Sequence, residues 1–392
     1  MKKPARLFIL AAVLLACGLT GAWTGIRAPQ PASSAVPVFL EKFFHKKAAA
    51  PPPQTFYAIH DDASFAANTH VVHLRPYSSP PLEFDISLPR NWELTDLTKN
   101  QTLPADQSII TNVATMRSEM IGVDHIETTV ALATLKHEIS ARNWLRSYIF
   151  SNGYAMQGEV IEEGPRKASA YCSSIADQAN IYSYISVQIS GDMIFVSRTD
   201  LPLNLKDYAG YVQKKLVDSV QVSYLKQDGV ESQKIYTLVD AMKFSYPLSW
   251  DIEDPDFKDI SRLSVRLRTR NMLGATDGFI GFLAVRRASD TSLIKEARLM
   301  KKYFSDFLGI NITSLVSSGK ADTDSRFLFS RYETYAASYK KEGRTDPEVR
   351  LVVLGDKTWY IFIYLISPRE QDDLNLWGRN TRTLDLIVKS IR

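Results

Sequence analysis

The stretch IHDDASFAANTHVVH places His60, Asp61, Asp62, His70 and His73 within fourteen residues, and these are side-chain types that ligate zinc or copper. Their spacing works against a shared ion. In THVVHLR the β-branched residues favour a strand, and residues three apart on a strand point to opposite faces. His70 and His73 meet a common metal only on a helical or looped backbone. Two interpretations follow: a metal-binding envelope protein centred on His60, His70 and His73, or exposed edge and tether residues. All six histidines precede residue 138. No catalytic set stands beside them. There is no G-x-S-x-G elbow, the H-E of His137 and Glu138 is not followed by the second histidine of H-E-x-x-H, and SSGK at Ser317 to Lys320 lacks the upstream glycine of a phosphate loop. Ser292 to Lys295 fits S-x-x-K by letters, without its SDN or KTG companions. DPDFKD at Asp254 to Asp259 lacks the glycine of an EF-hand loop and reads as a solvated turn. We therefore expect no catalytic residues, no enzyme activity and no cofactor.

One pattern does suggest binding. In SRLSVRLRTR, Arg262, Arg266, Arg268 and Arg270 occupy even positions with Ser264, while Leu263, Val265 and Leu267 occupy odd ones. A period of two buries the aliphatic side chains and lines the guanidinium groups along one solvent face. Like charges side by side repel, so that face wants acidic neighbours or an acidic partner. It is either balanced by cross-strand acids or free to dock on anionic lipid, on an acidic protein, or on the acidic first half of the chain.

The elements that hold these residues come next. At 392 residues the chain exceeds one ordinary core, and 45% apolar with 23% charged side chains is the balance of a globular protein. The net charge of +4 conceals a polarity. Residues 70–225 carry 13 basic and 17 acidic side chains, a balance of −4, and residues 236–392 carry 25 and 21, a balance of +4. Ahead of both, MKKPAR and the apolar run from Leu7 to Cys17 form an export signal. The uncharged run from Leu7 to Ile26 is long enough to cross a bilayer, LLAC resembles a lipobox with Cys17 as the lipidated residue, and simple cleavage is the third outcome. All three put the remainder outside the cytoplasm, in a periplasm-like compartment, tethered to the membrane in two of them. Residues 27–69, rich in Pro and Ala, read as the tether. With Cys17 in the signal, Cys172 has no thiol to pair with and reads as a buried structural residue.

A repeat sets the architecture. ISLPRNWEL at Ile86 to Leu94 returns as FSYPLSWDI at Phe244 to Ile252, matching Pro89 with Pro247 and Trp92 with Trp250. After two more strands each copy has one helix, then three strands, the last two joined by a Gly-Asp turn, then a closing helix that ends Ser219-Val220 or Ser390-Ile391. The first helix of the second copy has its apolar stripe at Ile294, Ala297, Met300, Phe304, Phe307 and Leu308. A strand ending Y-P-x-x-W, a mostly antiparallel sheet and a closing helix ending in Ser-Ile resemble the PsbP-like family, although Leu88 holds the tyrosine position in the first copy. That family includes the extrinsic oxygen-evolving protein of photosystem II, a Ran-binding protein and bacterial envelope lipoproteins. The resemblance implies an α+β chain of two tandem α/β/α sandwich domains at residues 70–225 and 236–392, joined by a link at 226–235. It implies also a prior for binding macromolecules, since fold alone does not fix function. The expectation is a non-catalytic, membrane-tethered envelope protein that serves an assembly such as a secretion system. The rivals are a small-ligand carrier or hydrolase using an interdomain cleft, and the metal-binding protein above. The partner is then an envelope protein complex or an anionic surface. Nucleic acid is not expected, because no basic groove is interleaved with aromatic residues.

Overall fold

The structure is a computed structural model that describes residues 59–97, 110–119, 125–176, 179–270, 276–341 and 343–392. The Leu7–Ile26 run and Cys17 lie outside them, and no described helix is long and apolar enough to cross a membrane. The first half opens with α1 (Asp62–Asn68), β1 (Thr69–Leu74) and β2 (Phe84–Pro89). Next come β3 (Glu93–Leu97), β4 (Thr111–Arg117), β5 (Glu127–Thr134), α2 (Ala141–Ser151), β6 (Ala155–Glu162), β7 (Lys167–Ala176), β8 (Ala179–Ser190) and β9 (Met193–Pro202). The closing helix α3 (Lys206–Asp218) and the short β10 (Gln221–Val222) complete it. The second half contains β11 (Gln233–Leu238), β12 (Met242–Pro247), β13 (Asp251–Asp259), β14 (Arg262–Arg270), β15 (Thr276–Arg286) and α4 (Leu293–Asp306). It ends with β16 (Ile310–Gly319), β17 (Phe329–Tyr339), β18 (Pro347–Gly355), β19 (Trp359–Pro368) and α5 (Leu374–Ser390).

Two antiparallel seven-stranded sheets result, ordered β3-β4-β5-β9-β8-β7-β6 and β13-β14-β15-β19-β18-β17-β16. Each strand of the second sheet corresponds to the first-sheet strand ten numbers lower, so the repeat seen in residue types is a repeat of topology. The fold is α+β, with helices on both faces of each sheet. In the first half, Leu145 and Ile149 of α2 pack on one face over Val187 and Val196. Val212 and Leu216 of α3, with Phe84 and Ile86 of the β1-β2 ribbon, pack on the other. In the second half, Met300 and Phe304 of α4 cover Val349 and Leu351, while Leu384 and Ile387 of α5 join Phe244 on the opposite face. Each such fully buried side chain contributes roughly 1.5–3 kcal/mol. The turn that marks the repeat is the same in both copies, with the amide of Trp92 donating to the Pro89 carbonyl at 3.0 Å and that of Trp250 to the Pro247 carbonyl at 3.1 Å.

The halves are joined by more than the covalent link. Helix α2 packs against α5, and a Cβ at Gly378 would lie 2.9 Å from the Asn143 Cβ, so the crossing requires glycine. Glu231 accepts the amides of Glu138 in the first half and Ser249 in the second, each at 3.0 Å. Arg166 donates to the carbonyls of Lys226 and Gln227 at 2.8 and 2.6 Å, which straps the connecting segment to the first half.

Five expectations need adjustment. Four strands rather than three follow α2 and α4, and DPDFKD lies in β13 rather than in a turn. The folded part begins before residue 70, since Ile59 and Phe65 are buried in the first core and Asp61 caps α1. The link is shorter than 226–235 because Gln233 already pairs with Pro247. The stripe of α4 is rotated from its apolar pattern: Phe307 is exposed and Glu296 is buried, because a sheet arginine neutralises the carboxylate. Cys172 lies in β7 wholly buried, and that burial pushes its thiol up to about 12, which keeps it protonated and inert.

Candidate partner-binding face

Strand β14 shows the expected alternation. Leu263, Val265 and Leu267 are buried in the α5-side core. Arg262, Arg266 and Arg268 lie opposite Val285, Gly281 and Phe279 of β15, residues of the face that α4 covers. The arginines therefore border a helix rather than lining bare solvent. Across the other edge, Asp259, Glu253 and Asp251 of β13 stand opposite Arg262, Arg266 and Arg268.

The three side chains have different surroundings. Arg262 forms an ion pair with the buried Glu296 of α4. Arg268 pairs with Glu253 at 2.9 Å, and its guanidinium lies 5.3 Å from the centre of the Phe279 ring. Arg266 is exposed and donates to the Tyr303 hydroxyl at 3.0 Å. The side chain of Arg270 lies outside the described residues. Tyr303 in turn stacks on Phe307 at 5.5 Å between ring centres, and Phe307 is 79% exposed. An arginine, a tyrosine and an exposed phenylalanine thus stand together along α4. The sequence pattern alone counts Phe307 with the buried stripe. The usable signal is the width of that stripe, since six apolar positions from Ile294 to Phe307 and Leu308 exceed what one face of the helix buries.

The histidines are dispersed. His60 is exposed, with Nε2 3.7 Å from Asp61. His70 and His73 belong to β1, three residues apart on a strand, as their spacing implied. His73 Nδ1 lies 2.7 Å from Asp85 and its Nε2 3.6 Å from Glu83. Asp61 caps α1, and the hydrogen bonds from Ser64 hold its carboxyl below the usual range. Asp62 is held low by Lys215 and Tyr211 of α3. Among the described residues no group of three His, Cys, Asp or Glu side chains is placed to hold a metal ion.

At the junction of the halves a cleft of about 780 Å³ is lined by Arg146, Ser147, Phe150, Glu370, Asp373 and Leu374. Arg146 and Glu370 pair across it, and Asp373 accepts the Leu376 amide at 2.9 Å as the cap of α5.

No family model matches the chain, and no curated protein matches it. Among solved structures it is similar to cyanobacterial PsbP (CyanoP) from Synechocystis sp. PCC 6803, 16% identical over 41% of this chain and 96% of that one, with a TM-score of 0.28. It is similar also to the immunity protein TplEi of the T6SS from Pseudomonas aeruginosa, 13% identical over 83% of this chain and 96% of that one, with a TM-score of 0.21. A chain of the Tle4–Tli4 complex gives 11% identity over 83% of this chain and 97% of that one, with a TM-score of 0.20.

Proposed function

We propose that this chain is a non-catalytic binding protein of the cell envelope, built from two PsbP-like halves and held at the membrane by its N-terminal segment. Its second half docks an acidic partner protein, a component of an envelope assembly such as a secretion system. The observation that carries this is the Arg266–Tyr303–Phe307 array. Phe307 stays 79% exposed although it stacks on Tyr303, and Arg266 beside them has no carboxylate partner among the described residues. Aromatic and arginine side chains grouped on a surface are the residue types that dominate binding energy at protein interfaces. The +4 balance of residues 236–392 favours an acidic partner and speeds its approach. Arg262 and Arg268 take a structural part, through Glu296 and Glu253.

The test is in-cell crosslinking of the full-length chain followed by capture and mass spectrometry, repeated with Arg266→Glu and with Phe307→Ala. We expect one discrete partner, with acidic surface, that weakens roughly thirtyfold with either variant, as removal of a hot-spot side chain worth about 2 kcal/mol requires. Recovery of the same partner in equal amount from both variants, or of no partner from the parent chain, would overturn it.

A further inference from the structure

We infer that the groove between α4 and edge strand β16 is a second docking site, which takes an extended, acidic and apolar segment of a partner protein as an eighth strand of the sheet. It rests on the binding-protein reading but on different residues. The groove, of about 400 Å³, is lined by Ile294, Ala297, Leu315, Phe329, Leu351 and Val353. Its floor is β17 and β18, and Leu315 of β16 forms its outer wall; β16 pairs with β17 on one side and is the terminal strand of its sheet.

Edge strands ordinarily carry charges that discourage pairing with another chain. The counterpart edge β6 does so with Glu159 and Glu162. Strand β16, INITSLVSSG, has no charged residue and no proline, and it leaves Leu315 and Val316 49% and 64% exposed. Two bulges, between Ile312 and Ser314 and between Leu315 and Ser317, interrupt its register with β17, so this uncharged edge offers backbone pairing in short runs, and an added strand there takes affinity both from those hydrogen bonds and from alternate side chains that enter the groove.

The rim states the charge of the occupant. Arg298 and Lys301 of α4 line the opening, and neither pairs with a carboxylate among the described residues. Lys301 lies 4.9 Å from the centre of the Tyr335 ring, while Arg331 is engaged by Glu333 at 2.8 Å. A carboxylate on the added strand would complete Arg298.

Two fluorescein-labelled ten-residue peptides test this against the full-length chain by polarisation: one alternates valine with glutamate and threonine, and the other has lysine in place of each glutamate. We expect the glutamate peptide to bind at least tenfold more tightly and to slow hydrogen exchange at the β16 amides. Arg298→Glu, on an exposed helix position, should reverse the preference, and Leu315→Lys should abolish binding. Equal binding of the two peptides, indifference to Arg298→Glu, or no protection of β16 would overturn the proposal. So would dimerisation of the parent chain that Leu315→Lys removes, which would assign the edge to a second copy. If the peptide arms fail while Phe307→Ala still loses its partner in cells, the groove falls and the function proposed above stands.

Discussion

The Ser390 hydroxyl accepts the backbone N–H of Ser245 at 2.8 Å and donates to the Ile387 carbonyl at 2.8 Å. In the first half Ser219 does the same, accepting from Ser87 at 3.0 Å and donating to Leu216 at 2.8 Å. One hydroxyl thus closes the last turn of the final helix and pins it to the ribbon strand that runs into Pro89 or Pro247. Ser390→Ala or Ser219→Ala leaves a strand amide without its acceptor, at a cost of about 1–2 kcal/mol each. Urea unfolding of the single and double variants should show additive losses, because the two sites lie in separate cores.

The repeat was legible because its markers are backbone devices. Pro89 and Pro247 end a ladder wherever they occur in a strand, and Ser219 and Ser390 end a helix whose preceding stripe is apolar. What could not be read was any feature decided by two elements at once. Thr381, Thr383 and Asn380 are buried in α5, which no single-helix pattern suggests. Asn380 answers its burial by donating to the Asp277 carbonyl at 3.0 Å and toward Ser367 at 3.1 Å. The arginine alternation was legible for the same reason as the repeat, since a strand has period two. Which arginine is tied to which acid depended on Glu296 of α4, a contact 34 residues away in sequence.

Arg262 and Arg266 should therefore differ in kind. Glu296 is 1% exposed and its carboxylate has Arg262 as its ion-pair partner. Removing one member of such a pair strands a buried charge, so Arg262→Ala should lower stability by about 3 kcal/mol. Arg266→Ala, at an exposed position, should change it by less than about 0.5 kcal/mol. Thermal melts of both variants check this, and the double variant Arg262→Met with Glu296→Leu should recover most of the loss.

Gly378 sets how closely the halves approach. An added Cβ meets the Asn143 Cβ at 2.9 Å and its amide nitrogen at 3.2 Å, inside the distance that packed atoms tolerate. Gly378→Ala should cost about 1–3 kcal/mol through overpacking, in spite of alanine's better helix propensity. Asn143→Ala alone removes only the tip of that side chain, whereas Asn143→Gly removes the opposing Cβ and should restore room for the methyl group that Gly378→Ala adds, which a double-mutant cycle measures. A coupling below about 0.5 kcal/mol would mean that α2 and α5 simply slide apart.

Glu231 makes the junction depend on pH. Burial raises its carboxyl, but the neighbouring His137 ring and the N–H groups of Ser249 and Glu138 favour the charged form more strongly and hold it below its ordinary value of 4.5. A carboxyl depressed in the folded state stabilises fully above its unfolded value and loses that contribution as pH falls through the folded one. Hydrogen exchange at the Ser249 and Glu138 amides should therefore stay slow above pH ~5 and, after correction for intrinsic rates, accelerate below about pH 4.5. Glu231→Gln removes two charge-assisted bonds and should cost about 1.5–3 kcal/mol at neutral pH. Because glutamine does not titrate, the variant should also lack the acid-dependent step, and a step of equal size in both proteins would place the titration at another carboxyl.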